Sequence, residues 1–507
     1  MIPRRIYILF LVVVVLLTVF MYNISLKTNT DDPKAGSFRQ ILQIYHSSQE
    51  TEGTVPKYHP QYISPNSNKT GNLADIYLNS KQKRPPGLNA TCAKFPDFFD
   101  LQFRNNYWQL QKTTNGTFHL FNAYLDQRNG SVIRIVGTYD VHKTEETFYC
   151  QFWYDKIPRP KIVASEVPFW MFRLKWGADT AYFNHPYLIT CPVVRDSGQY
   201  PISVSLVDKP CTTASNNLKI FYKHVEEKKN FVVCVKGLSF PFEDRGDRLT
   251  EWIELVNLLG AEKINFYEFS VHPNTQRILD YYVNNGLVEV TPISLVGDFS
   301  NLPLLQKEFL KKKIIQRRLQ EVIPFNDCLY KHIHEFKYVV LLDSDEVIVP
   351  VENTWVELIE TLQEKYPNVY SYMARNIYFF DTYLHQHDWF SDIPKHMHML
   401  QHVYRSHNYT KPGYFVKGFH DTKNVVALHN HFPFKCLKGC TNKEIDLDLA
   451  HLQHYRADCA SGVGDCKSMK EDSAMDIRVW NFKDELIRRV ERTFREVDLD
   501  YSNFDYR

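Results

Sequence analysis

A chain of 507 residues has room for two or three sizeable cores at roughly 150 residues per domain, which excludes a small disulfide scaffold. With 44% hydrophobic and 23% charged residues the balance is that of a globular protein, and 60 Lys+Arg against 58 Asp+Glu leave only +2, too little basic excess to predict nucleic acid as a partner. Aromatic residues reach 14%, which suits β-rich cores and sugar-contacting surfaces alike.

The longest apolar run comes first, Ile6 to Tyr22, behind Arg4 and Arg5. As a helix it rises about 25 Å, enough for a thin bilayer. It ends in Val19, Phe20, Met21 and Tyr22 without a small-residue cleavage site, so a single uncleaved signal anchor is expected over 6–22 in place of a cleaved signal peptide. The two arginines would keep residues 1–5 cytosolic and everything after residue 22 luminal. Residues 23–90, rich in Ser, Asn, Thr, Lys and Pro and closing in KQKRPPG, read as a flexible stem. All 10 cysteines lie beyond the anchor, and their even number predicts disulfides in an oxidising compartment, with no pairing readable. Cys436, Cys440, His451, His454, Cys459 and Cys466 also admit a loosely spaced zinc cluster, the weaker reading. Glycosylation sequons stand at Asn68, Asn89, Asn115, Asn129 and Asn408, with one at Asn23 close to the bilayer; two are Asn-Gly pairs suited to hairpin tips.

From 91 to 227, short alternating segments such as GTFHLFNAYLD, SVIRIVGTYDV and YPISVSLVD predict a β-sandwich-like domain with nothing catalytic in it. From 228 to 507 the texture becomes strand, helix, strand: FVVCVKGLSF, DRLTEWIELVNLLG, KINFYEFS, NTQRILDYYVNNG, LVEVTPIS. That alternation predicts an α/β domain with a mostly parallel sheet, and Gly260 should stop its first helix. The basic segment LLQKEFLKKKIIQRRLQEVI reads as a helix with a solvated face.

Chemistry concentrates in FKYVVLLDSDEVIVP. Val339 to Leu342 make a buried strand, at whose end Asp343 and Asp345 point the same way, toward the crevice that strand ends border in α/β sheets. Two carboxylates so placed can share a divalent cation. Asp446/Asp448 and Asp498/Asp500 repeat the spacing without the strand.

The pieces from about Phe231 to Arg456 resemble glycosyltransferase family 92: the strand and helix FVVCVKGLSFPFEDRGDRLTEWIELVNLLGAEKINFY, then PFNDCLY (Pro324 to Tyr330), LLDSDEVIVP, and the late His454, Tyr455, Arg456. The resemblance implies a GT-A-like nucleotide-sugar-binding domain in a Golgi membrane protein of type II topology. Characterised members use UDP-galactose and Mn2+, and nematode members similar to this chain add β-linked galactose to fucose on N-glycan cores. Carried onto these residues, the kinship implies a metal site of Asp343, Asp345 and His454, with His429 second to His454, and phosphate contacts from Arg456, Lys467 or Lys470. The uridine wall would come from Glu243, Asp244 and Arg245, with Asp327 a further candidate. Asn326 to Cys328 could instead cap a helix.

Transfer with inversion needs a carboxylate base on the acceptor side. No glutamate lies between Glu364 and Glu444, which leaves Asp381, Asp388, Asp392 and Asp421; Asp381 and Asp388 are preferred because aromatic residues surround them in sequence. The expected partners are therefore a UDP-sugar, a glycan or glycoprotein acceptor, and a membrane. A membrane-tethered glycan-binding protein without catalysis and a luminal nucleotide-sugar hydrolase are the alternatives.

Overall fold

The computed structural model describes residues 92–104, 107–155, 157–172, 183–196, 198–351, 354–384, 386–387, 389–459 and 466–501. The expected anchor and stem, the sequons at Asn23, Asn68 and Asn89, and Asp388 lie outside the described residues. Among the described residues no helix is long and apolar enough to cross a membrane.

The alternating segments of the first half form ten strands, from Phe103–Arg104 to Leu218–Phe221. Two layers enclose one core, but they are continuous. Leu218–Phe221 pairs antiparallel with Ser203–Val207 and parallel with Thr117–Asp126, joining what the sequence suggests are separate sheets. Phe118, Leu120, Ile133 and Ile135 of one layer meet Phe152, Val204 and Leu206 of the other, and the Cys150–Cys191 disulfide ties them together. Asn115, Asn129 and Asn408 are exposed, as glycosylation requires.

The second half opens on strand β1 (Lys229–Phe240), helix α1 (Gly246–Leu259), strand β2 (Ala261–Val271), helix α2 (Pro273–Asn284) and strand β3 (Val288–Pro292). Helices α3 (Pro303–Lys312) and α4 (Ile314–His332) precede β4 (Phe336–Leu341), and β5 (Glu346–Pro350) follows. Then come β6 (Ser371–Ala374), β7 (Asn376–Phe380), β8 (Lys417–Asp421), β9 (Asn442–Glu444) and β10 (Ala450–Arg456). The main sheet has the order β3-β2-β1-β4-β8-β6-β9, with β3, β2, β1 and β4 parallel and β8 antiparallel to both its neighbours. A second sheet is β5-β10-β7.

The main sheet is buried on both faces, so its strands are continuous apolar runs. Along β1 the side chains divide by strict alternation: Phe231, Val233 and Val235 enter the core that holds α1, while Val232 and Cys234 enter the core that holds α4. Gly260 ends α1 at φ +124°, a backbone conformation that needs glycine. The basic segment is not one helix. It breaks at Lys313 into α3 and α4, and α4 buries Leu319, Val322 and Ile323 against the sheet. Its core also holds Trp108, Phe121 and Val136 from the first half, so packing is continuous across the boundary expected at 227/228.

Candidate functional site

In the strand order 3-2-1-4 the direction of winding reverses between β1 and β4, and ligand crevices of α/β sheets open there, beyond the carboxyl ends of the strands. The parallel register pairs Cys234 with Leu341, so Lys236 and Asp343, each two residues further on, arrive side by side. Lys236 Nζ donates to Asp343 Oδ2 at 2.8 Å. From β8, whose Gly418 pairs with Leu341, comes Lys417, 0% exposed at its side chain, with Nζ 3.4 Å from both Asp343 Oδ2 and Glu346 Oε2. Lys417 also donates to Asn430 Oδ1 at 2.8 Å.

Asp345 faces a different partner. In the second sheet His454 of β10 is paired with Glu346 on one side and with Tyr378 on the other. Its Nδ1 lies 3.0 Å from Asn376 Oδ1, which turns Nε2 toward Asp345 Oδ2 at 3.5 Å. The structure thus divides the acidic pair: Asp343 serves two ammonium groups and Asp345 an imidazole. Burial alone would raise both carboxyls. The ammoniums of Lys236 and Lys417 nevertheless hold Asp343 far below the usual carboxylate range, and His454 lowers Asp345. Glu346 is raised by burial and by Asp343, against the pull of Lys417. Burial opposes the charge on Lys236, but Asp343 and Glu321 outweigh it and keep the ammonium protonated.

The other residues named from sequence fare unevenly. Asp327, expected at the uridine pocket, is 0% exposed inside α4 and accepts from Tyr124 (2.6 Å), Tyr267 (2.5 Å) and Asn122 (2.8 Å), so it is a link between the two halves with no face for a nucleotide. Its neighbour Asn326 is no helix cap either; it pairs with the backbone of Leu428 through both amide atoms. Asp244 is committed to Gly246 N, Asn274 and Tyr501, which fastens the β1–α1 loop to α2 and the C-terminal segment. Glu243 and Arg245 remain on that loop as a solvent-exposed ion pair of 2.8 Å. Arg456, two residues beyond His454, leaves β10 on the same face as His454. His429 packs on Phe432 and Phe172, and burial together with the nearby Lys417 ammonium disfavours its protonation. Asp421 pairs with Tyr338, toward the opposite end of β4 from Asp343, and Asp392 is exposed and bound to Lys483.

Asp381 follows β7 and lies 3.7 Å from His398 Nε2 and 3.5 Å from His402 Nε2. Both histidine rings lie against Tyr455, whose side chain leaves β10 on the face opposite to that of His454. Cys436–Cys440 and Cys459–Cys466 are disulfides, as are Cys92–Cys211 and Cys234–Cys328, and no cysteine is free. The cysteine-based zinc cluster is therefore corrected: oxidised sulfurs cannot serve as thiolate ligands.

Glu251, buried on α1, accepts from Met399 N (2.8 Å) and Leu400 N (3.1 Å). Burial pushes its carboxyl up to about 8, against the pull of those two amides. The unfolded chain releases this proton near pH 4.5 while the folded chain keeps it, so stability should fall as pH rises from about 5 to 8, by up to about 1.4 kcal/mol per pH unit. Glu251→Gln should flatten that slope in denaturant titrations at several pH values; an unchanged slope would mean that the carboxyl titrates normally.

Lys236, Lys417, Glu346 and Asn376 escaped the sequence reading. Glu346 directly follows Asp345 in the chain, whereas Lys236, Lys417 and Asn376 are brought in by strand register between segments far apart, and a lysine next to β-formers carries no local mark of it. The one available signal was Lys236 interrupting the apolar run of β1.

An open, mostly parallel sheet with charged residues converging at its switch point places the molecule among α/β enzymes that bind their ligand beyond the strand ends. The chain belongs to glycosyltransferase family 92, whose family model matches residues 229–503, from the start of β1 past the helix Lys483–Val497. No curated protein matches the chain. Glycosyl transfer is accordingly its activity class.

Proposed function

We propose that this chain moves a hexose from a UDP-sugar to a glycan, with inversion, on a GT-A-like domain. Galactose as the donor sugar and fucose of an N-glycan core as the acceptor follow from the family resemblance, as does a Golgi membrane location through the N-terminal anchor. The observation that carries the reading is Asp345 beside His454 Nε2 at 3.5 Å, at the switch point and next to two lysines.

The residues fit a divalent cation. His454 has its Nδ1 engaged by Asn376 and its Nε2 turned to a carboxylate oxygen, while Asp343 Oδ1 is buried without a hydrogen-bond partner. Asp345 and His454 would hold Mn2+, with Asp343 the further carboxylate of the set, although the three do not stand as one cluster of ligand atoms within 4.8 Å in this structure. Bound there, the cation supplies positive charge for the departing diphosphate. Lys236 and Lys417 fix the Asp343 loop, and Arg456 offers its guanidinium to phosphate oxygens from the His454 face. The acceptor hydroxyl must lose a proton, for which the reading keeps Asp381 and Asp388. The contacts of Asp381 on the Tyr455 side of the second sheet favour Asp388.

The test is the full-length chain with several UDP-sugars, Mn2+ or EDTA, and fucosylated N-glycan present or absent. Sugar on the glycan, dependent on Mn2+, is expected. UDP release that is indifferent to acceptor would make the chain a hydrolase, and glycan binding without UDP release a lectin-like protein. Asp388→Asn should lower turnover by at least about 100-fold with UDP binding retained; full turnover would move the base elsewhere.

A further inference from the structure

Asp381, His398 and His402 each bring one ligand atom to within 4.8 Å of the others. Both imidazoles address the same atom, Asp381 Oδ1, through Nε2. The tautomer of His402 is set by the fold. Its Nδ1 lies 2.6 Å from the carbonyl oxygen of His398, and a carbonyl only accepts, so Nδ1 carries a proton and Nε2 is the atom turned to the carboxylate oxygen of Asp381 3.5 Å away. Asp381 Oδ1 is itself buried and has no hydrogen-bond partner.

The donors stand on anchored elements. His398 and His402 are four residues apart on the short helix His398–Gln401 and its cap, hence on one face. Glu251 pins that helix to α1 through Met399 N and Leu400 N. Tyr455 packs against both rings, and its hydroxyl is fixed by Gln453 at 2.6 Å.

We propose that Asp381, His398 and His402 form a zinc site on the face of the second sheet opposite His454, with its fourth position on the solvent side of Asp381. Two imidazoles and one carboxylate are the donors Zn2+ takes, whereas Mg2+ and Ca2+ take oxygens. Ligand atoms around a tetrahedral Zn2+ with bonds of about 2.0–2.1 Å stand roughly 3.3 Å apart, close to the 3.5 and 3.7 Å found here. The ion would tie the end of β7 to α1 and the histidine helix, a structural role separate from the cation beside the diphosphate. The inference rests on these contacts alone, independently of the donor-site reading.

The experiment is elemental analysis of the full-length chain carrying Asp345→Asn, so that the donor site adds nothing. One equivalent of zinc per chain is expected, and its loss in His402→Gln and in Asp381→Asn. Because those variants could fail to fold, Co2+ is also titrated into the metal-stripped Asp345→Asn chain; visible d–d bands saturating at one equivalent and displaced by Zn2+ are expected. A folded chain that holds no zinc and gives no Co2+ bands overturns the proposal, as does zinc that survives both ligand substitutions.

Discussion

Asp345→Asn should lower turnover by about 1,000-fold, the scale of losing a charge-stabilising group aimed at a departing anion, while leaving the melting temperature close to that of the unmodified chain. Asp343→Asn, two residues away and the same chemical change, should in addition destabilise the fold. The difference lies in their surroundings. Asp345 is 42% exposed at its side chain and has His454 as its only ion-pair partner within 4 Å among the described residues. Asp343 is 14% exposed and faces Lys236 and a fully buried Lys417. Neutralising it leaves two ammonium groups with too little compensating charge, and breaking such a buried arrangement costs about 3–5 kcal/mol. Thermal or urea unfolding set beside donor turnover reads both effects. An active Asp345→Asn enzyme would remove that carboxylate from the chemistry, and an Asp343→Asn chain as stable as the parent would mean that the lysines find other partners.

Asp327→Ala should destabilise the chain by about 3–6 kcal/mol. The carboxyl accepts from Tyr124 and Asn122 of the first half and from Tyr267 of β2, and each buried donor left unsatisfied costs about 1–3 kcal/mol. Asp327→Asn should cost less, since one acceptor oxygen survives. At temperatures where the variant remains folded, KM for the UDP-sugar should be unchanged, because Asp327 is sealed from any crevice. A raised KM in a folded variant would restore the nucleotide-binding role that its place in PFNDCLY suggested. The same experiment tests whether the halves on either side of residue 228 depend on one another, as their shared core predicts.

The parts of this protein legible in its sequence are those written in local pattern. The apolar run of β4 ending in Asp343 and Asp345, the helical period of α1 and its glycine stop are consequences of side-chain spacing and backbone sterics, and they fold where expected. The family resemblance rests on those same stretches, and the family match spans them. What could not be read is who meets whom. His398 and His402 are visibly four residues apart, yet nothing local says that Asp381 will lie beside them, and Cys234 of β1 meets Cys328 of α4 across 94 residues of chain.

Strand periodicity, the even cysteine count and the acidic strand end were thus fixed by the chain itself, because each depends on interactions within a few residues. The division of the acidic pair between lysines and histidine, the burial of Asp327 and the meeting of Asp381 with two imidazoles were decided by tertiary structure alone. They depend on strand register and helix packing between segments up to about two hundred residues apart, where a one-residue slip would send every side chain to the other face.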